Sequence, residues 1–137
     1  MITKGMLVAI GAQEARLKNP LVLAYIGDSV YDLYVRTVLV KKSRQQVNAL
    51  NQRASNVVNA RAQAQAVAML EECLTEEERD IVRRGRNAHP GTVAKNMSVA
   101  DYKRATGLEA LIGYHYLAGN YERLEELMQK IIEKFGV

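Results

Sequence analysis

The chain has 137 residues, close to the size of one domain, which argues against a two-domain enzyme. Apolar residues make up 48% of it and charged residues 25%, a composition that excludes a disordered chain and allows a packed core. The 19 lysines and arginines outnumber the 15 aspartates and glutamates, and the formal charge of +4 favours a polyanionic partner.

The first two predicted helices follow from capping residues and apolar spacing. Asn19 and Pro20 form a favourable helix start, because asparagine caps a helix and proline in the first turn loses no helical hydrogen bond. Apolar residues then recur at intervals of three or four, which predicts a long, largely buried helix over residues 19–40. Residues 44–72 carry an alanine-rich apolar stripe with Asn, Gln and Arg opposite, which predicts a second long, amphipathic helix.

A short charged helix follows. Thr75 and Glu78 have the spacing of a capping box, and we expect the helix that they begin to end near Gly85, since glycine commonly ends helices. Two glycines and a proline make residues 85–92 a loop.

Two further helices complete the prediction. Ser98 is a capping residue for a helix that we expect to end at Gly119. The last helix covers Tyr121–Phe135, with acidic residues early and lysines late, as the helix dipole favours. No alternating pattern indicates a strand, so the predicted fold class is all-α.

Two helices carry acids among apolar neighbours. Asp28 and Asp32 lie one turn apart on one face of the first helix, and Glu109 is the only Asp, Glu, Lys or Arg between Ala105 and Ala118. A buried carboxylate is costly unless it is paired or holds a cation, and carboxylates that meet commonly share Mg²⁺ or Mn²⁺. The alternative is that Asp28 is bound to an arginine or a helix end and that Glu109 is simply exposed.

Two stretches resemble the signatures of a known enzyme family. LAYIGDSVYDLYV, residues Leu23–Val35, resembles the first signature of ribonuclease III catalytic domains, and LEALIGYHYL, residues Leu108–Leu117, resembles the second. The loop Arg86–Asn96 is similar to one in the small subclass called Mini-ribonuclease III, which has no double-stranded RNA-binding domain.

The resemblance implies an all-α, ribonuclease III-like endonuclease domain that hydrolyses double-stranded RNA to 5′-phosphate and 3′-hydroxyl ends. It places the catalytic, metal-binding acids at Asp28 and Glu109, with Mg²⁺ as cofactor and Mn²⁺ able to substitute. It also implies a homodimer, with the segment Leu23–Val35 and the second helix as the contact surface, and a precursor of the large ribosomal RNA as substrate.

This chain departs from the larger family members at three acidic positions. Leu21, Ala24 and Thr106 stand where those enzymes have acids. The resemblance therefore implies a thinned acidic cluster, typical of the small subclass, to which Asp32 would be a weaker, outer contributor.

Basic and polar residues around the glycine-rich loop are the predicted RNA contacts. A-form RNA is gripped mainly through its phosphates and 2′-hydroxyls, so cations on the domain's own surface must hold it. The alternative is an ordinary solvated surface. The candidates are Arg83, Arg84, Arg86, Asn87, His89, Lys95, Asn96, Lys103 and Arg104.

The domain organisation predicted is an N-terminal segment of unknown role, residues 1–18, followed by the catalytic domain, residues 19–137. One cysteine, Cys73, excludes an internal disulfide, and no apolar run approaches the roughly 20 residues of a membrane span, so we expect a cytoplasmic protein. Two other functions stay open from sequence: a non-catalytic relative that binds structured RNA, and an α-helical protein-interaction module.

Overall fold

The computed structural model describes residues 9–88 and 98–137. Within these ranges the chain forms helices and no strand, which confirms the predicted fold class. The α-helices are α1 (Ala12–Arg16), α2 (Pro20–Lys42), α3 (Val47–Val58), α4 (Ala60–Leu70), α5 (Glu76–Asn87), α6 (Val99–Ala118) and α7 (Tyr121–Phe135), with a 3₁₀ turn at Glu71–Cys73. None of the described helices is both long enough and apolar enough to cross a membrane.

Capping residues set several helix ends where the sequence predicted them. The Asn19 side chain accepts a hydrogen bond from Leu21 N at 2.8 Å and begins α2. Ser98 accepts one from Asp101 N at 3.3 Å and begins α6. Gly119, at φ 84°, ends α6 in the left-handed conformation that glycine adopts without strain.

The prediction of one helix over residues 44–72 was wrong. The chain breaks at Asn59, whose ψ of 161° is extended, and α4 begins anew with the Asn59 side chain accepting from Ala62 N at 2.8 Å. The break directs α4 onto α6 and buries Gln63, which had been expected on a solvent-facing side.

The expected end of α5 near Gly85 was also wrong. The helix continues to Asn87, and Gly85 is buried inside it. A Cβ atom at Gly85 would lie 2.9 Å from Gly107 Cα of α6. This glycine therefore permits a close helix crossing and does not stop a helix.

Helix α6 lies at the centre of the molecule. It packs against α1, α2, α4, α5 and α7, and every residue from Ala105 to His115 is buried except Glu109. Leu108, Leu111 and Ile112 are completely enclosed. A helix that is apolar on every side is expected in such a central position.

The described part of the N-terminal segment lies on this helical body. Ile10 N donates to Leu117 O at 2.9 Å, and Ala15 of α1 is fully buried. Arg84 of α5 donates to the carbonyls of Arg16 and Lys18, at 2.9 and 3.1 Å. The division of the chain at residue 18 stays a prediction.

Candidate active site

Two glycines let α2 and α6 approach at backbone contact. A Cβ atom on Gly27 would lie 1.8 Å from Glu109 O, and one on Gly113 would lie 1.9 Å from Leu23 O. Side chains larger than hydrogen are therefore excluded from both positions at this distance. Because Asp28 follows Gly27, the crossing brings Asp28 beside Glu109.

The carboxyl groups of Asp28 and Glu109 lie close enough to act on each other. Burial and then the neighbouring Asp28 raise the pKa of Glu109 well above its usual range. Among the described residues, no lysine, arginine or histidine forms a salt bridge with either acid. The two acids thus meet without a compensating positive charge, which is unfavourable by itself.

This acidic pair suits a divalent cation. Asp28 is exposed and Glu109 is half-buried, so the pair opens to solvent on one side and rests on the core on the other. Hard carboxylate oxygens are the ligands that Mg²⁺ and Mn²⁺ prefer, with water completing the coordination shell. In the described ranges, no group of three or more histidine, cysteine or acidic residues is placed so that it could hold a metal ion, so the candidate site in these ranges is the pair.

Two core side chains lie next to the pair. Tyr31, one turn after Gly27, is fully buried and donates its hydroxyl to Val57 O at 3.0 Å. Burial, with a contribution from Glu109, raises the pKa of this tyrosine, which therefore stays a neutral donor. Gln63 of α4 contributes a buried amide, and sequence reasoning missed it because helical periodicity placed it on a polar face.

Asp32 is engaged elsewhere. Its two carboxylate oxygens share a bifurcated hydrogen bond from Arg36 Nε, at 2.9 and 3.0 Å, in a pair exposed to solvent. Of the positions where larger relatives carry acids, Ala24 is buried, and Thr106 is buried with its hydroxyl donating to Tyr102 O at 2.9 Å. Neither position supplies a further carboxylate.

The predicted RNA contacts fall into three groups. Arg83 pairs with Asp80, and Arg84 binds the two backbone carbonyls described above, so both guanidinium groups have partners within the chain. The others in the described ranges are the exposed Arg86, Asn87 and Arg104 and the half-buried Lys103. His89, Lys95 and Asn96 lie outside the described residues.

A groove of about 620 Å³ lies where α4, α5 and the beginning of α6 meet. Its floor includes Val67, Leu74 and Val82, and its rim includes Arg86 and Arg104. Neither of these two arginines forms a salt bridge with a described carboxylate. Glu71, Glu76 and Asp80 also line it, so its charge is mixed.

A second polar centre lies at the other end of α6 and was missed in the sequence. Glu78 is 3% exposed. Its Oε1 accepts hydrogen bonds from Thr75 N and from Arg123 Nη2, both at 2.8 Å, and its Oε2 accepts one from Arg123 Nε at 2.9 Å. His115 Nε2 donates to Oε2 at 2.6 Å, and its Nδ1 accepts from Asn120 Nδ2 at 3.1 Å. The capping box at Thr75 was predicted, but its role as half of a buried ion pair has no local sequence signal.

Comparisons with known proteins agree with this architecture. A family model described as Ribonuclease III domain matches residues 21–120, which include both acids of the pair. A protein named Mini-ribonuclease 3 from Thermoanaerobacter is 49% identical over 115 residues, covering 84% of this chain and 81% of that protein. Another of that name from Staphylococcus aureus is 48% identical over 119 residues, covering 85% and 89%. A crystal structure of a protein from Fusobacterium nucleatum, 29% identical, superposes with a TM-score of 0.79 over 87% of this chain and 95% of that chain.

Proposed function

We propose, from the premise that the chain belongs to the ribonuclease III family and is an endoribonuclease, that Asp28 and Glu109 hold the divalent cation used to hydrolyse double-stranded RNA. The observation that carries this proposal is the backbone crossing at Gly27 and Gly113, which brings Asp28 and Glu109 close together. Both acids are present at the motif positions, which argues against a non-catalytic RNA-binding relative. In such a protein, two acids beside phosphates would only weaken RNA binding.

Each acid has a distinct part. Asp28 is exposed, so it faces the approaching phosphate backbone. Glu109 extends from the most enclosed helix, which fixes its backbone and limits its rotamers. When bound, Mg²⁺, or Mn²⁺ in its place, supplies an activated water and neutralises charge on the scissile phosphate, and the products carry 5′-phosphate and 3′-hydroxyl ends.

The experiment that tests the site compares Asp28→Asn and Glu109→Gln with Asp32→Asn on a long RNA duplex in saturating Mg²⁺. We expect the first two substitutions to lower the cleavage rate by at least roughly a hundredfold, because each removes charge from a cation on which catalysis depends. Asp32 is held by Arg36, so its variant should lose no more than about threefold. A folded Asp28 or Glu109 variant that cleaves near the wild-type rate would remove that residue from the site.

RNA binding is assigned to the basic surface near the beginning of α6. Arg86 and Arg104 line the groove beside the helix that carries Glu109, and Lys103 adjoins Arg104 on that helix. None of the three forms a salt bridge with a described carboxylate, and such cations are what phosphate contacts require. The substrate class that we propose is a duplex in a precursor of the large ribosomal RNA, and accumulation of that precursor in cells lacking the protein would support it.

A second copy of the chain is the proposed partner. The exposed apolar residues Val22, Tyr25 and Leu33, at 50%, 81% and 58% exposure, lie along one face of α2, the helix that carries Asp28. Leu23 and Val35, by contrast, are buried within the monomer, so Tyr25 and Leu33 are the apolar residues of the expected segment Leu23–Val35 that are most available for contact. A two-fold dimer through it would cover the stripe and provide two acidic pairs for two RNA strands.

A further inference from the structure

Gln63 is a buried polar side chain near the acidic pair, and its Nε2 has no partner among the described residues. It is 3% exposed, and its Nε2 makes no hydrogen bond of standard geometry with any described residue. The amide nonetheless lies close enough to Glu109 to act on that carboxyl group. A buried N–H without an acceptor is uncommon in native structures and calls for a role.

The position of Gln63 follows from the break in the chain at Asn59. The Asn59 cap begins α4 afresh, and one turn later Gln63 extends toward α6 between the buried Ala62 and Ala64. Small neighbours let α4 lie close to α6, and the long Gln63 side chain is buried and not folded back to solvent. A continuous helix through residue 59 would not have this geometry.

Two side chains with donors lie next to the pair, but the Tyr31 hydroxyl is used by Val57 O, so Gln63 supplies the donor that no described acceptor takes. Asp28 and Glu109, when ionised, offer only acceptors. A carboxylate has two oxygens, and a cation shared with Asp28 needs one of them directed toward Asp28. A neutral N–H on the opposite side of Glu109 would hold the second oxygen and so fix the rotation of the carboxylate.

We propose that Gln63 is a positioning residue whose Nε2 donates to Glu109 and orients that carboxylate toward the cation shared with Asp28. This inference rests on the proposed function of the acidic pair. Gln63 acts through Glu109 and does not touch the RNA, so its loss should change cation binding and turnover but not duplex affinity.

The test replaces Gln63 with leucine, which has similar volume and no amide, and uses Gln65→Leu as the matched control, because Gln65 is exposed two residues further along the same helix. Mn²⁺ affinity is measured by calorimetry without RNA, and kcat and KM are measured on a duplex. For Gln63→Leu we expect about tenfold weaker Mn²⁺ binding and a kcat lower by about ten- to a hundredfold, with KM within about twofold, as for loss of a hydrogen bond to a charged group. Gln65→Leu should match the wild type in all three quantities.

Wild-type Mn²⁺ affinity and kcat in a folded Gln63→Leu protein would overturn the inference and leave Gln63 as a space-filling residue. If the leucine variant does not fold, Gln63→Met, whose flexible side chain fills the same space, carries the test. Asp28→Asn is assayed in parallel: if it still cleaves normally, the acidic pair itself is wrongly assigned. If it is inactive while Gln63→Leu behaves as wild type, only the role of Gln63 fails.

Discussion

Glu78 accepts four hydrogen bonds at a position almost sealed from solvent. Burial alone would raise its pKa, but the bonds from Arg123, Thr75 and His115 outweigh burial and lower the pKa to about 2. Burial lowers the pKa of His115, and Glu78 only partly opposes this. The folded protein therefore keeps Glu78 charged and His115 neutral at neutral pH.

The contributions of His115 and then of Glu78 to stability should fall as the pH is lowered. Both groups bind protons more weakly in the folded than in the unfolded state, so the unfolded state gains protons below pH 6.5 for the histidine and below 4.5 for the glutamate. The contribution of Glu78 is complete above its unfolded pKa and disappears as the pH approaches 2. Denaturant unfolding between pH 7 and pH 3 measures the effect.

The variant Glu78→Gln separates the contribution of Glu78 to stability from the contributions of other titrating groups. Glu109 is one of these, and its raised pKa changes stability with pH in the opposite direction. We expect the wild type to exceed this variant by about 2–3 kcal/mol at pH 7, with the difference shrinking below pH 4.5. A difference that stays constant down to pH 3 would show that the charge of Glu78 is not what stabilises the fold.

Single residues show how much of the candidate site could be predicted from the sequence. Asp28 and Glu109 were predicted because their motifs are local and specific. Gln63 and Glu78 were not, since burial of a polar side chain depends on which helix packs over it. The nearest local signals were weak: Asn59 as a second cap before Gln63, and an acid at the third position of a capping box for Glu78.

At the scale of helices, crossings made by glycine determine the site. Gly27 and Gly113 join α2 to α6, and Gly85 and Gly107 join α5 to α6, so Glu109 lies between two close crossings on one helix. The sequence showed these glycines but not their partners, because a close approach joins residues far apart in the chain. Gly85 was misinterpreted as a helix end for that reason.

Alanine at Gly27 or Gly113 should destabilise the protein by about 3 kcal/mol or more, since the new Cβ would meet a backbone oxygen at under 2 Å and the helices must separate. Gly85→Ala should cost less, because its nearest neighbours lie at 2.9–3.1 Å and include the Ala110 side chain. Thermal and denaturant unfolding of the three variants measures the order of their stability losses. Equal losses at all three positions would contradict a role for the α2–α6 distance.

For the whole molecule, the basic surface should bind RNA through phosphates. Arg86→Ala combined with Arg104→Ala should weaken duplex binding in Ca²⁺ and reduce the slope of log affinity against log salt by about one to two. Lys130→Ala, an exposed cation on α7, is the control and should leave the slope unchanged. An unchanged slope in the double variant would make the groove an ordinary solvated surface.

Assembly is the second property of the whole molecule. The exposed stripe on α2 predicts a dimer at micromolar concentration in sedimentation, and Leu33→Glu should give a folded monomer because it places a charge in the stripe. Leu17→Glu, at a residue 80% exposed outside α2, should remain dimeric. A wild-type monomer that cuts both strands would contradict the dimer.

If Glu109 holds the cation as we propose, its placement on the central helix also determines how activity is lost. Sites on loops can open locally while the remainder of a protein stays folded. Here the carboxylate extends from a helix that the other helices enclose. A local opening that separated Glu109 from Asp28 would also open the core, so it would cost a large free energy. Inactivation and global unfolding are then one cooperative event.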